Sequence, residues 1–151
     1  MIGLREVESP LIKEPRVIVS ARLLIQSEIN ELLLLQRSED DLHNKSLWEL
    51  PGGKVEPGTT IAETQIQEAL EETGLVVQLT DESAYMESSR IDSGRYEGST
   101  FISIVGLAKV VRGSVVLSGE HQTYAWLRPG EFGTYDLTDV SKRALSYLNK
   151  F

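Results

Sequence analysis

Gly52-Gly53-Lys54-Val55-Glu56-Pro57-Gly58-Thr59-Thr60-Ile61-Ala62-Glu63-Thr64-Gln65-Ile66-Gln67-Glu68-Ala69-Leu70-Glu71-Glu72-Thr73-Gly74-Leu75 holds the residues that decide how this chain folds. Glycine and proline crowd its first part, so residues 51–59 are expected to be irregular backbone. From Ile61 the spacing becomes helical and continues to Thr73. Thr60 and Glu63 form a capping box at its start, and Gly74 takes the place of a C-terminal cap. On a helical wheel Ala62, Ile66, Ala69, Leu70 and Thr73 share one face, with Glu68, Glu71 and Glu72 opposite. Like charges at that spacing destabilise a helix by about a few tenths of a kcal/mol per pair. A solvated charged face tolerates this, but an oxygen-rich cluster is also what a hard cation such as Mg²⁺ selects. The glycines before it allow the backbone to come close, so their carbonyls can turn toward a cation held by the glutamates.

Outward from this stretch, residues 17–25 are β-branched and apolar and predict a strand. Residues 28–31 supply turn chemistry, and residues 32–36 read as a hairpin partner. Residues 37–45 form a charged loop. Further strands are expected at 75–79, 84–90, 101–111 and 123–127. A last helix is expected over 136–150, with Leu137, Val140, Ala144, Leu145 and Leu148 at helical spacing. Residues 1–15, broken by Pro10 and Pro15, read as an arm. With no repeat or low-complexity tract, the expectation is one domain over 1–151 of α/β or α+β class.

The 151 residues include no cysteine, which removes disulfide scaffolds, thiol nucleophiles and cysteine-ligated metal. Fifteen Lys and Arg against 23 Asp and Glu give a net charge of −8, without the basic stripe that a nucleic-acid polymer would require. The longest apolar run is Leu32-Leu33-Leu34-Leu35, far short of the roughly 20 residues of a membrane helix. No signal peptide is evident, so the expected location is cytoplasmic.

At the helix and its approach the chain resembles the Nudix hydrolases, whose motif runs G-x5-E-x7-R-E-U-x-E-E-x-G-U with U a bulky apolar residue. Here the match begins at Gly53 and ends at Leu75, and Trp48-Glu49-Leu50-Pro51-Gly52 is similar to the family's lead-in. Thr59 stands in the place of the motif's first glutamate and Gln67 in that of its arginine, while Glu68, Glu71 and Glu72 keep the metal-binding carboxylates. Losing both members of a charged pair orphans neither, and Thr59 and Gln67 are expected to keep a neutral hydrogen bond between them. The resemblance implies an α/β/α sandwich with a mixed sheet between helices. It also implies Mg²⁺- or Mn²⁺-dependent hydrolysis of a nucleoside diphosphate linked to another group.

In that reading Glu68 and Glu72 are the direct ligands, with Glu71, the Gly53 carbonyl and Glu56 sharing the cluster. Arg37 and Lys54 contact phosphates, with ordinary surface charge as the alternative for each. Glu120 fits the family's late-loop carboxylate, as a further ligand or as the base that takes the water's proton; a solvated loop carboxylate is the alternative. His121 is a second candidate base on chemistry alone, set against an exposed loop histidine, and His43 reads the same way. The proline common in ADP-ribose hydrolases is missing, since none lies between Pro57 and Pro129. Tyr96 falls beyond the place of the dinucleoside polyphosphate tyrosine, and Asp40-Asp41-Leu42-His43 lacks the second arginine that the coenzyme A signature places after Arg37. These absences favour a nucleoside triphosphate or a related nucleotide as the substrate. Trp48, Tyr85, Tyr96 and Phe101 are the aromatics available to stack on a base. The rival reading is a nucleotide-sensing module that binds without turnover. The only protein partner expected is a second copy, through the arm or an edge strand.

Overall fold

The computed structural model describes residues 14–148, so most of the expected arm and the Lys150 end of the last helix lie outside the described residues. Strand β1 (Val17–Gln26) lies within a seven-stranded mixed sheet. Along one edge it runs parallel to β6 (Thr100–Arg112), in register from Val17 opposite Thr100 to Gln26 opposite Lys109. Its other edge meets two strands in turn: β4 (Gly52–Lys54), and at Gln26 the hairpin partner β2 (Leu32–Arg37). Strand β2 also pairs with β3 (Trp48–Glu49) and β7 (His121–Leu127), and β6 carries the antiparallel strand β5 (Val76–Arg90).

Helices α1 (Ile61–Thr73) and α2 (Asp139–Tyr147) cover the two faces of the sheet. Leu23, Ile25, Leu33 and Leu35 pack with Ala69 of α1, whereas Leu24, Leu32 and Leu34 pack with Ala144 and Leu145 of α2. Successive residues of a strand point to opposite faces. The unbroken run of four leucines in β2 therefore reports a strand buried on both sides, and all four have no exposed surface. This is the expected α/β/α sandwich.

Several boundaries differ from the sequence reading. Residues 52–54 are a short strand rather than irregular backbone, because the glycines can lie flat against β1; a Cβ on Gly52 would sit 2.4 Å from the Ala21 carbonyl oxygen. The two strands expected over 75–90 are a single bulged strand, with register shifts around Asp81. Gln65 reaches across from α1 to donate to the carbonyl of Glu82 at 2.9 Å, which occupies that acceptor of the bulged segment. The last helix begins at Asp139, since residues 136–138 are engaged with Trp48: its N–H donates to Asp136 at 2.8 Å and its carbonyl accepts from Thr138 at 2.9 Å.

Helix α1 keeps its expected ends. Thr60 and Glu63 exchange both capping-box hydrogen bonds, and Gly74 closes the helix at φ 73°, a left-handed conformation that favours glycine. Its buried face is a correction. Gln65, Ala69, Glu72 and Thr73 turn inward, while Ile66 and Leu70 of the expected apolar face are 41% and 52% exposed. The helix is rotated so that Glu72 meets β4, at the expense of part of its apolar stripe.

Candidate active site

Glu72 is buried, and its Oε1 accepts the N–H of Gly52 at 2.8 Å. Burial pushes its carboxyl up to about 8, with the charges of Glu68 and Glu49 adding to the shift against the opposing Gly52 N–H and Arg22. One turn earlier, Glu68 is half-buried and also raised, by burial first and then by Glu71 and Glu120. Gly53 lies against this carboxylate: a Cβ there would come within 2.7 Å of the Glu68 carboxyl carbon, so a side chain would displace it. Glu120, exposed at the start of β7, and His121 complete a cluster in which one donor atom each from Glu72, Glu120 and His121 lies within 4.8 Å of the others.

This donor set fits a divalent cation. Glu68 and Glu72, held above their ordinary range by burial first and by neighbouring carboxylates second, are charges a bound cation would stabilise. The backbone beside them is also stripped of side chains where Glu68 needs the space.

Beneath the cluster lies a polar network that the sequence reading missed. Glu49 is buried; its Oε2 lies 2.8 Å from both Arg37 Nη1 and His121 Nε2, and its Oε1 lies 3.5 Å from Arg22 Nη1. Burial works to raise the Glu49 carboxyl, yet His121, Arg22 and Arg37 together hold it below its usual range. Arg22 also donates to the Leu50 carbonyl at 2.7 Å, fixing the strand that leads to Gly52. Arg22 interrupts an apolar strand and Glu49 alternates with buried Leu50, and these were the available signals. His121 is a correction of another kind, since its side chain is wholly buried rather than an exposed loop histidine. His43 is exposed.

The remaining expected residues spread around this centre. Glu71 faces solvent, its carboxylate taken by Gln67 Nε2 at 2.9 Å. Arg37 is gripped by Asp41 and Glu49. Lys54, Glu56, Thr59, Gln67 and Glu68 line a cavity of about 130 Å³. A second cavity of about 410 Å³ shares Lys54, Glu56 and Thr59 with it and is walled by Tyr96. The expected hydrogen bond between Thr59 and Gln67 is absent: Thr59 Oγ1 donates to the Glu56 carbonyl at 2.7 Å, closing its own loop. A wider groove of about 490 Å³, lined by Ile29, Leu75, Tyr124 and Trp126 among others, shares no residue with the carboxylate cluster. Chemistry rather than volume places the site. Trp48 packs edge-on against Tyr135, and Tyr85 meets Tyr147 at a tilt of 48°.

A family model described as the NUDIX domain matches residues 15–148. The chain belongs to the NUDIX family. Among its relatives, a nucleoside triphosphatase NudI of Salmonella arizonae is 33% identical over 103 residues, covering 65% of this chain and 73% of the relative. The crystal structure of a MutT protein from Methanosarcina mazei superposes with a TM-score of 0.73 at 32% identity, over 92% of this chain and 99% of that one. An Ap4A hydrolase from C. elegans shares the fold, with a TM-score of 0.66 at 23% identity over 89% and 99% of the two chains. This NUDIX protein is therefore a nucleotide pyrophosphohydrolase. No helix among its described residues is long and apolar enough to cross a membrane.

Proposed function

We propose that the enzyme hydrolyses a nucleoside triphosphate or a closely related nucleotide, with Mg²⁺ or Mn²⁺ held by Glu68 and Glu72. The observation that carries this is a pair of carboxylates, both raised by burial, with Glu68 packed against Gly53 and Glu72 accepting the Gly52 N–H. Gly53, Glu56 and Glu71 contribute at the edge of the cluster. When bound, the cation supplies positive charge to the phosphate oxygens as charge builds on them. Glu120, exposed beside the cluster, serves as a further ligand or as the base that takes the proton of an attacking water. Lys54, between the two cavities, faces the phosphate chain, and the cavity walled by Tyr96 has room for the rest of the nucleotide. Arg37 reaches a phosphate only by releasing Asp41, so within this reading its nearer task is to hold Glu49. The relative named as a nucleoside triphosphatase supports the substrate class. The setting is cytoplasmic. A homodimer belongs to the same reading, and a solution mass of twice 16.8 kDa by light scattering is its check.

A panel of nucleoside triphosphates, dinucleoside polyphosphates and nucleotide sugars, assayed with each cation for the released species, tests the substrate. Triphosphates are expected to yield the monophosphate and pyrophosphate. Exclusive turnover of a nucleotide sugar or a dinucleoside polyphosphate would move the enzyme to another branch. Binding of the same nucleotides without turnover would make it a sensor.

A further inference from the structure

His121 is the one buried side chain of the cluster whose polar capacity the described residues leave half used. Its side chain has no exposed surface. Nε2 lies 2.8 Å from Glu49 Oε2, while Nδ1 is buried with no hydrogen-bond partner. Glu49 is flanked by the guanidinium groups of Arg37 and Arg22, so it is held as an ionised acceptor. An ionised acceptor fixes a proton on Nε2, so that in the neutral ring the lone pair lies on Nδ1. The imidazole also offers a nitrogen within 4.8 Å of carboxylate oxygens of Glu72 and Glu120. With Nε2 committed to Glu49, Nδ1 is the nitrogen free to serve there. A histidine that binds a metal through one nitrogen and donates from the other to a carboxylate is the usual way in which a protein fixes the ring's tautomer and orientation.

We propose that His121 is a direct ligand of the enzyme's divalent cation through Nδ1, joining Glu72 and Glu120 in a mixed nitrogen–oxygen site, with Glu49 as its positioning residue. This rests on the cation-dependent reading above and deepens it. The helix glutamates alone offer only oxygen, which suits Mg²⁺, whereas an imidazole ligand raises the affinity of transition-metal ions relative to Mg²⁺. The cation would then span α1 and the start of β7, tying together the two elements that carry the site.

Pulsed EPR of Mn²⁺ bound to the full chain tests this without altering the site. The protein is prepared with natural histidine and with ¹⁵N-labelled histidine, and again as His43→Gln to remove the other imidazole. Expected is a coupling from directly bound histidine nitrogen that changes to the ¹⁵N pattern on labelling and survives His43→Gln. Bound Mn²⁺ without histidine coupling, or coupling lost in His43→Gln, overturns the proposal and leaves the cation-dependent reading standing. Mn²⁺ that remains free overturns both. As a second measurement, Glu49→Gln should weaken Mn²⁺ binding about tenfold, since loss of an outer partner typically costs 10- to 100-fold. Mg²⁺ binding should change less, and equal losses for the two ions would count against the nitrogen ligand.

Discussion

Ionising Glu72 in the absence of a cation puts a buried negative charge beside Glu68 and Glu49, and this cost has a definite pH signature. Its folded value of about 8 lies above the ordinary 4.5. The contribution of this group to stability is therefore complete below pH 4.5 and is lost as pH rises through about 8. Glu72→Gln keeps an acceptor for the Gly52 N–H and removes the charge. In a chelator, urea unfolding should show the variant gaining on the native protein from pH 4.5 upward and levelling off near 8. The expected gain is on the order of a few kcal/mol. Added Mn²⁺ should stabilise the native protein and leave the variant little changed. Gly53→Ala probes the same centre from the backbone. The atoms nearest the new Cβ all belong to the flexible end of Glu68, so the melting temperature should hold while turnover falls roughly 100-fold, the scale at which a misplaced group costs rate. A large loss of stability would show that Gly53 serves the fold instead.

At the scale of elements, the approach loop and α1 are joined differently from the sequence expectation. Thr59 bonds its own loop and Gln67 bonds Glu71, and the small cavity between them is lined by both residues. Installing the charged pair with Thr59→Glu and Gln67→Arg should bridge that space. The double variant should exceed the sum of the single ones by about 1 kcal/mol of stability, and a double-mutant cycle without coupling would contradict this. In the loop after β2, the N–H of Asn44 and the Arg37 guanidinium hold Asp41 down to about 2, from an ordinary 3.8. A depressed carboxylate stabilises above its unfolded value, so this contribution should persist down to pH 3.8 and be lost toward pH 2; NMR titration of the Asp41 carboxyl checks it. The ends of α1 were legible because caps are local chemistry, and Thr60, Glu63 and Gly74 carry it within a few residues. The rotation of α1 was not. The wheel gave Ile66 and Leu70 a buried face, whereas the tertiary contact of Glu72 with Gly52 turned them outward.

Across the whole molecule the decisive packing fact is that β2 is buried on both faces. Leu33 lies between β2's neighbours on the α1 side, and Leu33→Ala should cost about 2–5 kcal/mol with no direct effect on the cation site. Chemical denaturation of the variant measures the cost. The strand and helix patterns made an α/β or α+β mixture legible, whereas the α/β/α order came only from the resemblance at the glycine-rich loop and α1. The four-leucine run read as a hairpin partner, and its burial on both faces appears only in the sheet. The residues under the site were harder to read. Arg22, Glu49 and His121 come from three strands far apart in sequence and meet only because β2 holds β3 and β7 in register. In the sequence His121 read as a candidate base or an exposed loop histidine; the sheet placed it in the interior. If Glu68 and Glu72 of α1 hold the cation on which hydrolysis depends, the most direct measurement is nucleotide turnover against Mn²⁺ concentration for the native enzyme and Glu72→Gln. Turnover should be absent in chelator, rise to saturation with Mn²⁺ and fall at least 100-fold in the variant, on the scale of a lost transition-state contact. Hydrolysis that proceeds in chelator, or that Glu72→Gln leaves intact, would contradict it.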